Sequence, residues 1–390
     1  MALFDKDDLK LKTPEDLEKA EQKLQDDIKD ITSYKTIGTA EKGIEMKPEF
    51  WGCLWPYIQD NNITDIDYNG RELWSMDING IHTKVDSSQI TPTFMDILVQ
   101  RIANEVSKPF NNTNPILEAE TKDLRISVLH ESVASTGRSL CVRKTPEFVR
   151  ISTESALKDG YATKEELTFL MNCIKANMNI AVCGEPGVGK TELSKYLSSF
   201  IPDNERVITI EDTLEWHYSS IHSHADSVAL KVSDKFTYFD AIKSCLRQNP
   251  KWLMLSESRG EEVIAYIQQL STGTHGITTL HCDSAKKIPE RLVNMAANST
   301  NRDRMEYDIY NFLSIGVLVN KKPEAGGKEK RFIDQICVYG WEGGEKVNKF
   351  VFNNMLPTVD DISTLLPIDV ARSFEKAGIK DILDNPNIHC

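Results

Sequence analysis

The eight residues Gly184–Thr191 read GEPGVGKT and constrain the fold of this chain more than any other stretch. They match the pattern G-x-x-x-x-G-K-[ST] and lie between a short apolar run at 179–183 and a helix-like segment at 190–200. This strand–loop–helix context is the one in which that pattern binds phosphate. The glycines let successive N–H groups turn into one concavity, and the N-terminal end of the helix adds positive potential. A glycine-rich turn without a ligand is the weaker interpretation.

The pattern predicts a role for each position of the loop. We expect Lys190 to reach the β- and γ-phosphates of a nucleotide and the Thr191 hydroxyl to ligate Mg²⁺. ATP and Mg²⁺ are therefore the predicted ligands. The other predicted nucleotide-binding positions are the rest of the loop and the first helical residue after it: Gly184, Glu185, Pro186, Gly187, Val188, Gly189 and Glu192.

Length and charge limit the classes of protein that remain. The chain has 390 residues, enough for two or three domains, with the 40% hydrophobic and 27% charged composition of a soluble globular protein. The net charge of -13 argues against broad electrostatic binding to nucleic acid or to an anionic membrane, although a local basic patch would escape this count. The acidic N-terminus and the lack of a long apolar run predict a cytoplasmic protein. The eight cysteines include no C-x-x-C pair, so we expect neither a disulfide framework nor a four-cysteine zinc site.

The first 45 residues are predicted to form a separate charged segment. Thr13-Pro14 resembles a helix start, and an apolar stripe follows at Leu17, Ala20, Leu24, Ile28 and Ile31. The stripe could pack on a partner, on a neighbouring subunit or on its own chain, and the sequence leaves these alternatives open.

Residues 46–150 predict a small α+β domain. Three period-two segments at 63–68, 71–76 and 81–85 are joined by Asn-Gly turns, which is typical of a β-meander. An amphipathic helix from Phe94 to Val106 follows, and then two more strands at 124–129 and 139–143. Residues 151–160 are predicted to be a linker because Pro146 and a polar run break the periodicity.

From residue 161 onward the pattern alternates between helix and strand. This alternation is typical of a parallel sheet covered by helices on both faces, and with the phosphate-binding loop it predicts a P-loop NTPase core. A hairpin and a helical tail, packed on the core or on a neighbour, are expected after residue 315. The predicted strands of the core are 179–183, 206–210, 252–255 and 277–281, and the predicted helices are 164–176, 190–200, 238–248 and 261–270.

Three predicted strands end in residues suited to nucleotide chemistry, at the edge where open α/β sheets bind ligands. The segment ITIEDTLE ends a strand with Glu211, Asp212 and Glu215, whose carboxylates could hold Mg²⁺ or orient water. The strand 252–255 leads to Glu257, which could polarise an attacking water. His281 ends the next strand and could sense the γ-phosphate. Each residue alone is weak evidence, since an exposed glutamate or a structural histidine is common at a strand end.

The order of these segments resembles the secretion-superfamily ATPases of type II and type IV secretion, type IV pili and the tight-adherence (Flp) pilus. GEPGVGKT, IEDTLE, LRQNP with the following ESR, and STGTHGITTLH stand where that family has its Walker A, Asp box, Walker B and His box. The segments IDYNG, RIS and SLCVRK look like the N-terminal domain of the tight-adherence and type IV secretion members. The resemblance therefore extends over both predicted domains.

The resemblance implies roles for the residues at the strand ends. Glu257 would be the catalytic carboxylate beside the Mg²⁺ of bound ATP, and Arg259 would complete the Walker B segment. Glu211 and Glu215 would belong to the Asp box, and His281 would be the sensor of the His box.

The resemblance also implies a role for basic residues of the N-terminal domain. From the residues alone, Arg125, Arg138 and Arg143 could be surface charge or could reach a phosphate across a domain cleft. Members of this family present arginines of that region to the nucleotide, which favours the second alternative. Which of the three would do so stays open.

Three positions depart from the family pattern. Ser256 stands where the family usually has glycine, and Lys251 stands where it usually has an acidic residue. Thr274 occupies the place of the first His-box histidine, and His275 follows one residue later as a weaker candidate. These departures could slow hydrolysis. The zinc module of many type II secretion members is absent, which favours the tight-adherence or conjugative type IV branch.

The sequence thus predicts an α/β protein with a RecA-like core at 161–390 and a smaller N-terminal α+β domain. The resemblance implies a ring-forming, hexameric ATPase at the cytoplasmic face of the inner membrane, bound to platform proteins of a pilus or secretion machine. Two alternatives remain: a subunit that binds ATP without hydrolysing it, and a RecA-like nucleic-acid translocase, which the acidic composition disfavours.

Overall fold

The computed structural model describes residues 44–296 and 301–385. These residues form two β-sheets, one of six strands and one of nine. We call residues 44–144 the N-terminal lobe and residues 153–385 the C-terminal lobe. The predicted N-terminal helix, with its stripe from Leu17 to Ile31, lies outside the described residues.

The N-terminal lobe is an antiparallel sheet packed against one long helix. Its strand order is β3-β2-β1-β6-β5-β4. Helix α3 begins after Thr91, whose side chain accepts the Phe94 N–H, and it buries Leu98 and Ile102 against the sheet. The elements are α1 (Pro48–Trp51), α2 (Trp55–Gln59), β1 (Ile63–Tyr68), β2 (Leu73–Asp77), β3 (His82–Val85), α3 (Pro92–Glu105), β4 (Ile116–Glu120), β5 (Leu124–Leu129) and β6 (Ser139–Lys144).

The predicted linker contains a helix, α4 (Thr153–Lys158). Ser152 and Ser155 form a reciprocal capping box at its start, and Ala156 is buried in the core of the C-terminal lobe. The Thr153 hydroxyl lies 2.9 Å from the Tyr196 hydroxyl on a core helix. Serine and threonine suggested a loop by composition, but here they cap a short helix that packs on the core.

The C-terminal lobe has helices on both faces of a mixed sheet, so the predicted α/β core is confirmed. Its strand order is β15-β14-β13-β12-β7-β11-β10-β8-β9. The elements are α5 (Lys164–Lys175), β7 (Ile180–Cys183), α6 (Lys190–Ser198), β8 (Val207–Glu211), α7 (Tyr218–Ile221), β9 (Ser227–Lys231), α8 (Tyr238–Cys245), β10 (Trp252–Leu255), α9 (Glu262–Leu270), β11 (His275–Leu280), α10 (Ile288–Met295), α11 (Arg302–Phe312), β12 (Ile315–Pro323), β13 (Glu329–Glu342), β14 (Glu345–Asn353), β15 (Leu356–Pro357) and α12 (Ile368–Lys376).

The sheet is parallel only from β12 to β9. Strands β13, β14 and β15 continue it with antiparallel pairings, because β12 and β13 form a long hairpin. The parallel sheet predicted for the core is thus extended by the hairpin expected after residue 315, which joins the same sheet. Edge strand β9, whose residues are all half-buried or exposed, was missed.

The central strands β7, β8 and β10 are buried along their whole length. Alternate residues enter two separate hydrophobic cores: Ile180 and Val182 face one, and Ala181 and Cys183 face the other. This explains their continuous apolar sequences, since both faces of a parallel sheet are covered by helices.

The C-terminal helix α12 packs on its own chain. Phe374 contacts Phe169 with ring centroids 5.9 Å apart, and Phe169 contacts Phe352 at the same separation. Beyond α12, the Asn172 amide donates to the carbonyl oxygens of Ile382 at 3.0 Å and Asp384 at 3.1 Å. Of the two expected positions for the tail, the structure shows packing on the core. No helix in the described ranges has the length and apolar character of a membrane span.

Phe374→Ala is expected to destabilise the C-terminal lobe. Removing a buried phenylalanine leaves a cavity beside Phe169 and costs about 3–5 kcal/mol of the free energy of unfolding. Urea denaturation followed by tryptophan fluorescence measures this. Phe239→Ala is the control, because Phe239 is 54% exposed and its truncation should cost about 0.5 kcal/mol or less. An equal loss of unfolding free energy in the two variants would contradict a stabilising role for the packing of α12 on the core.

Candidate nucleotide-binding site

The register of the parallel strands brings the predicted site residues to one edge of the sheet. Leu280 of β11 pairs with Cys183 of β7, and Leu255 of β10 pairs with Ile210 of β8. The residues that follow these strands are therefore neighbours. They include the phosphate-binding loop after β7, Asp212 after β8, Glu257 after β10 and His281 after β11.

The loop backbone needs its glycines at three places. Gly184, Gly187 and Gly189 have φ values of +147°, +76° and +96°, which side chains rarely adopt. At Gly184 a Cβ atom would also lie 2.3 Å from the Val319 carbonyl oxygen of the adjacent strand β12. Gly189 is the N-cap residue of α6, so the loop runs directly into the N-terminus of that helix. This is the backbone form of a phosphate cradle.

The Lys190 ammonium lies inside this loop. It donates hydrogen bonds to the carbonyl oxygens of Gly184 and Glu185, each at 3.0 Å, and lies 3.2 Å from Nδ1 of His281. Burial lowers the pKa of Lys190, and the nearby carboxylate of Glu257 opposes that effect. A partly desolvated ammonium held only by neutral groups is suited to bind an anion.

Glu257 is joined to Lys190 through His281. Nε2 of His281 lies 3.1 Å from Oε1 of Glu257. One tautomer satisfies both contacts: Nδ1 accepts from Lys190 and Nε2–H donates to Glu257. The other carboxylate oxygen of Glu257 accepts from Arg259 at 2.6 Å, and Arg259 also donates to Asp212 at 2.8 Å. Residues from four strand ends thus form one continuous chain of polar contacts.

The Asp-box glutamates have different positions. Glu211 is 1% exposed, and one of its carboxylate oxygens accepts the backbone N–H groups of Glu215 at 2.8 Å and Trp216 at 2.9 Å. It holds the turn after β8 and does not line the cleft. Glu215 does line the cleft, and its Oε2 accepts from the Thr191 hydroxyl at 3.4 Å.

The electrostatic environment also separates the two glutamates. Burial raises the pKa of Glu211 to about 7. Burial raises the pKa of Glu215 as well, but Arg143 and Arg125 of the N-terminal lobe act in the opposite direction. The charge of Glu215 is therefore the one that faces both the loop and the N-terminal lobe.

The three predicted arginines of the N-terminal lobe are not equivalent. Arg143 lines the cleft, and its Nε donates to Asp65 at 2.7 Å. Arg125 pairs with Arg143 across β5 and β6. Arg138 precedes β6 at the opposite end of that strand and is bonded to Asp96 and Glu131. The structure therefore places Arg143 in the cleft, with Arg125 beside it in the sheet, and leaves Arg138 in an ion-pair cluster of its own lobe.

The loop opens into a cleft of about 1010 Å³ between the two lobes. The side chains that line it include eight basic and six acidic residues, although the chain as a whole carries a net charge of -13. This local excess of positive charge favours an anionic ligand. The basic residues are Arg143, Lys144, Arg150, Lys190, Lys195, Lys328, Lys330 and Arg331.

Sequence reasoning missed most of these basic residues. Arg150 donates its backbone N–H to Glu192 at 3.1 Å, and buried Lys195 donates to the Pro146 carbonyl at 3.1 Å. Both contacts attach the segment between the lobes to helix α6. Lys330 and Arg331 come from the β12–β13 hairpin, far from the motifs in sequence. The only sequence feature that could have indicated their role is the high density of charged residues in the hairpin, KKPEAGGKEKR.

Ser256 and His275, at or beside positions that depart from the family pattern, have structural surroundings. The Ser256 hydroxyl lies 3.0 Å from the Tyr238 hydroxyl, which accepts the Asp212 N–H at 3.1 Å. His275 begins β11 and therefore lies at the strand end opposite His281. Burial, assisted by the charge of Lys251, lowers the pKa of His275 to about 4. His275 is thus not brought to the site.

Comparisons with known proteins agree on one family. A model described as "Type II/IV secretion system protein" matches residues 108–315. A protein of Bacillus anthracis, described as uncharacterized, is 30% identical over 345 residues, which cover 83% of this chain and 78% of that protein. The type IV secretion system protein VirB11 of Bartonella quintana is 34% identical over 172 residues, or 42% of this chain and 47% of VirB11. The second match thus spans about half the length of its relative.

Solved structures share the fold. The ATPase DotB of Yersinia pseudotuberculosis has a TM-score of 0.58 with 14% identity, covering 88% of each chain. The pilus retraction motor PilT with bound ADP has a TM-score of 0.53 with 15% identity, covering 83% of this chain and 87% of PilT. At these identities the likeness concerns the fold alone.

The pKa of Glu211 predicts a pH-dependent contribution to stability. Its value of about 7 in the folded state exceeds the ordinary 4.5, so the protonated carboxyl stabilises the fold. This contribution is complete below the unfolded pKa and is lost as pH rises through the folded pKa. Glu211→Gln mimics the protonated group. We expect the free energy of unfolding of the wild type, relative to the variant, to fall by about 3 kcal/mol from roughly pH 4 to pH 8.

Urea denaturation of both proteins across this pH range measures the difference. A difference that does not change with pH would contradict the placement of Glu211 in a buried turn. Glu290→Gln, at an exposed glutamate on α10, is the matched control, and equal trends in the two variants would show that the effect is not specific to the buried turn.

Proposed function

The chain belongs to the type II/IV secretion system protein family, and we propose that it is an ATPase that binds ATP with Mg²⁺ in the cleft between its lobes and hydrolyses it. One observation carries this proposal. The Lys190 ammonium, in the phosphate-binding loop, connects through His281 to Glu257, so a phosphate that binds Lys190 would lie one imidazole ring away from a carboxylate suited to act on water.

The loop residues would bind the phosphates. Lys190 exchanges the carbonyl oxygens of Gly184 and Glu185 for the β- and γ-phosphates, which are better partners because they are charged. The backbone N–H groups at the start of α6 point toward the same anion.

The Thr191 hydroxyl and the Glu215 carboxylate fit a hard cation, since both are oxygen ligands and lie 3.4 Å apart beside the loop. Bound there with ATP, Mg²⁺ would neutralise charge on the β- and γ-phosphates. Glu257 would lie farther from this cation than Glu215 does, since its two oxygens contact Arg259 and His281 and neither contacts Thr191.

Glu257 would orient and polarise the attacking water. When Lys190 turns to the phosphates, Nδ1 of His281 loses its cationic partner and is left beside the Gly184 carbonyl oxygen, 3.2 Å away. The His281 contact to Glu257 then transmits that change to the carboxylate. Arg259 holds Glu257 and Asp212 in place and thereby ties the Walker B segment to the Asp box.

The N-terminal lobe would close on the nucleotide. Arg143 and Arg125 already act on Glu215 across the cleft, so a bound phosphate would attract the same lobe. ATP would therefore favour a closed arrangement and hydrolysis would release it. We propose that this motion is the working stroke, and that the residues flanking α4 form the hinge between the lobes.

The descriptions of related proteins support a proposal for the assembly in which this chain works. VirB11 is described as a type IV secretion system protein and PilT as a pilus retraction motor. We propose that this chain likewise assembles as a hexameric ring and works at the cytoplasmic face of the inner membrane, on platform proteins of a secretion or pilus machine.

A second candidate is a subunit that binds ATP without hydrolysing it. Its support is that Arg259 and His281 each contact one oxygen of the Glu257 carboxylate and so compete with water for it. Phosphate release by the assembled wild-type protein separates the two candidates.

Lys190→Ala is expected to weaken ATP binding strongly while leaving the fold intact. The variant loses the only cation that the loop itself provides for the phosphates. Isothermal titration with ATP and circular dichroism measure affinity and fold. Lys175→Ala, an exposed lysine at the end of α5, is the matched control and should bind like the wild type. Unchanged ATP affinity in Lys190→Ala would contradict the proposal that this loop binds the phosphates of ATP.

Glu257→Gln is expected to bind ATP normally and to lose turnover by ~10²- to 10⁴-fold, because the amide cannot polarise water as a carboxylate does. The measurement is steady-state phosphate release beside Glu211→Gln and Glu215→Gln. Glu211→Gln should retain most turnover, since Glu211 holds a backbone turn. If Glu257→Gln turns over like the wild type and Glu211→Gln does not, the catalytic role belongs to the Asp box.

A further inference from the structure

A β-hairpin beyond the family match forms a third wall of the nucleotide cleft. The family model ends at residue 315, where β12 begins. Strands β12 and β13 then form a hairpin whose distal residues line the cleft opposite Arg143. These lining residues are Glu324, Lys328, Glu329, Lys330 and Arg331.

The hairpin contacts the N-terminal lobe at the turn between β2 and β3. The Glu329 N–H donates to the Asn79 carbonyl at 2.9 Å, and the Arg331 guanidinium donates to the Ile78 carbonyl at 2.7 Å. Gly80, with a φ of +77°, allows this approach, because a Cβ there would lie 2.7 Å from a carboxylate oxygen of Glu329. The hairpin therefore fits closely on the other lobe.

Arg331 also contacts the phosphate-binding loop. Its Nε donates to the Gly187 carbonyl at 3.2 Å, and a Cβ at Gly189 would lie 3.9 Å from its Cδ. One side chain thus joins three parts of the molecule: the hairpin that carries it, the loop that would hold phosphate, and the N-terminal lobe.

The charge of Arg331 has no carboxylate partner. None of the ion pairs in the described part of the chain includes it, and its two hydrogen bonds go to neutral carbonyl oxygens. A guanidinium has five N–H donors, so three remain. The buried Tyr161 hydroxyl lines the same cleft and has no hydrogen-bond partner among the described residues. The cleft therefore holds polar groups whose hydrogen-bonding capacity is not used by the described residues.

We propose that Arg331 is a nucleotide-binding residue, whose remaining N–H groups bind the phosphates of the nucleotide held by the loop. The same guanidinium donates a hydrogen bond to the Ile78 carbonyl, so Arg331 would connect the nucleotide in the loop to the N-terminal lobe. This inference rests on the proposed function, which places ATP in the cleft, and adds a phosphate contact from outside the segments that define the family.

The test compares Arg331→Gln with Arg331→Lys in the full-length chain. Charge-assisted hydrogen bonds to phosphate contribute enough that Arg331→Gln should weaken ATP and ADP binding by about 10- to 100-fold. Arg331→Lys keeps the charge without the planar fork and should recover part of that loss. Lys322→Gln is the matched control: it removes a cation from the same hairpin that stacks on Phe332 and does not line the cleft, so its affinities should equal those of the wild type.

The thermal midpoint of each nucleotide-free variant separates binding from a purely structural role. A lower midpoint with wild-type affinity in Arg331→Gln would overturn the proposal. If both midpoint and affinity fall, Arg331→Lys decides: recovered affinity supports phosphate binding, and affinity as low as that of Arg331→Gln contradicts it. If the wild type binds no ATP, the proposed function itself fails. If the wild type binds and hydrolyses ATP and Arg331→Gln does the same, only this inference fails.

Discussion

The Lys190 ammonium is the charge on which the arrangement of the site depends. Without a phosphate it is held by two loop carbonyls and His281, and through His281 it reaches Glu257. A buried cation held by neutral groups is costly, so an anionic phosphate would be a better partner for Lys190 than the loop carbonyls are. Its binding must also change what His281 contacts. We therefore propose that nucleotide binding and the state of the Glu257 carboxylate are coupled through His281.

This coupling requires a sheet whose strands keep their register. Pairing of Leu280 with Cys183 sets His281 beside the start of the loop, and pairing of Leu255 with Thr278 sets Glu257 beside His281. A slip of one residue would reverse the faces of all the side chains in the strand. Strands β7, β10 and β11 lie between two hydrophobic cores, and alternate side chains of each strand pack into one core or the other. A slip would exchange these side chains between the cores, so the packing prevents it. The core thus determines the geometry of the polar contacts at its edge.

Much of this could be predicted from local pattern. The strand 252–255 was predicted with its observed bounds, since four consecutive apolar residues suit a strand buried on both faces. The grouping of Glu257 and His281 followed from their places at strand ends. The orientation of Glu211 could not be predicted, because its partners are backbone N–H groups of a turn. Nothing in the local sequence distinguishes the roles of Arg138 and Arg331. In the tertiary structure Arg138 forms ion pairs with Asp96 and Glu131, whereas Arg331 lies in the cleft against the phosphate-binding loop. Short elements such as α4 and β9 lacked a periodic signal long enough to detect.

A crystal structure of the chain with Mg²⁺ and a non-hydrolysable ATP analogue tests this coupling most directly. We expect the triphosphate in the cleft between the lobes, with Lys190 on the β- and γ-phosphates instead of the carbonyls of Gly184 and Glu185. We also expect that His281 has lost its contact with Lys190 and remains beside Glu257. An analogue bound with Lys190 still on its own loop carbonyls, or bound outside the cleft, would contradict the proposal that this ammonium links phosphate binding to the Glu257 carboxylate.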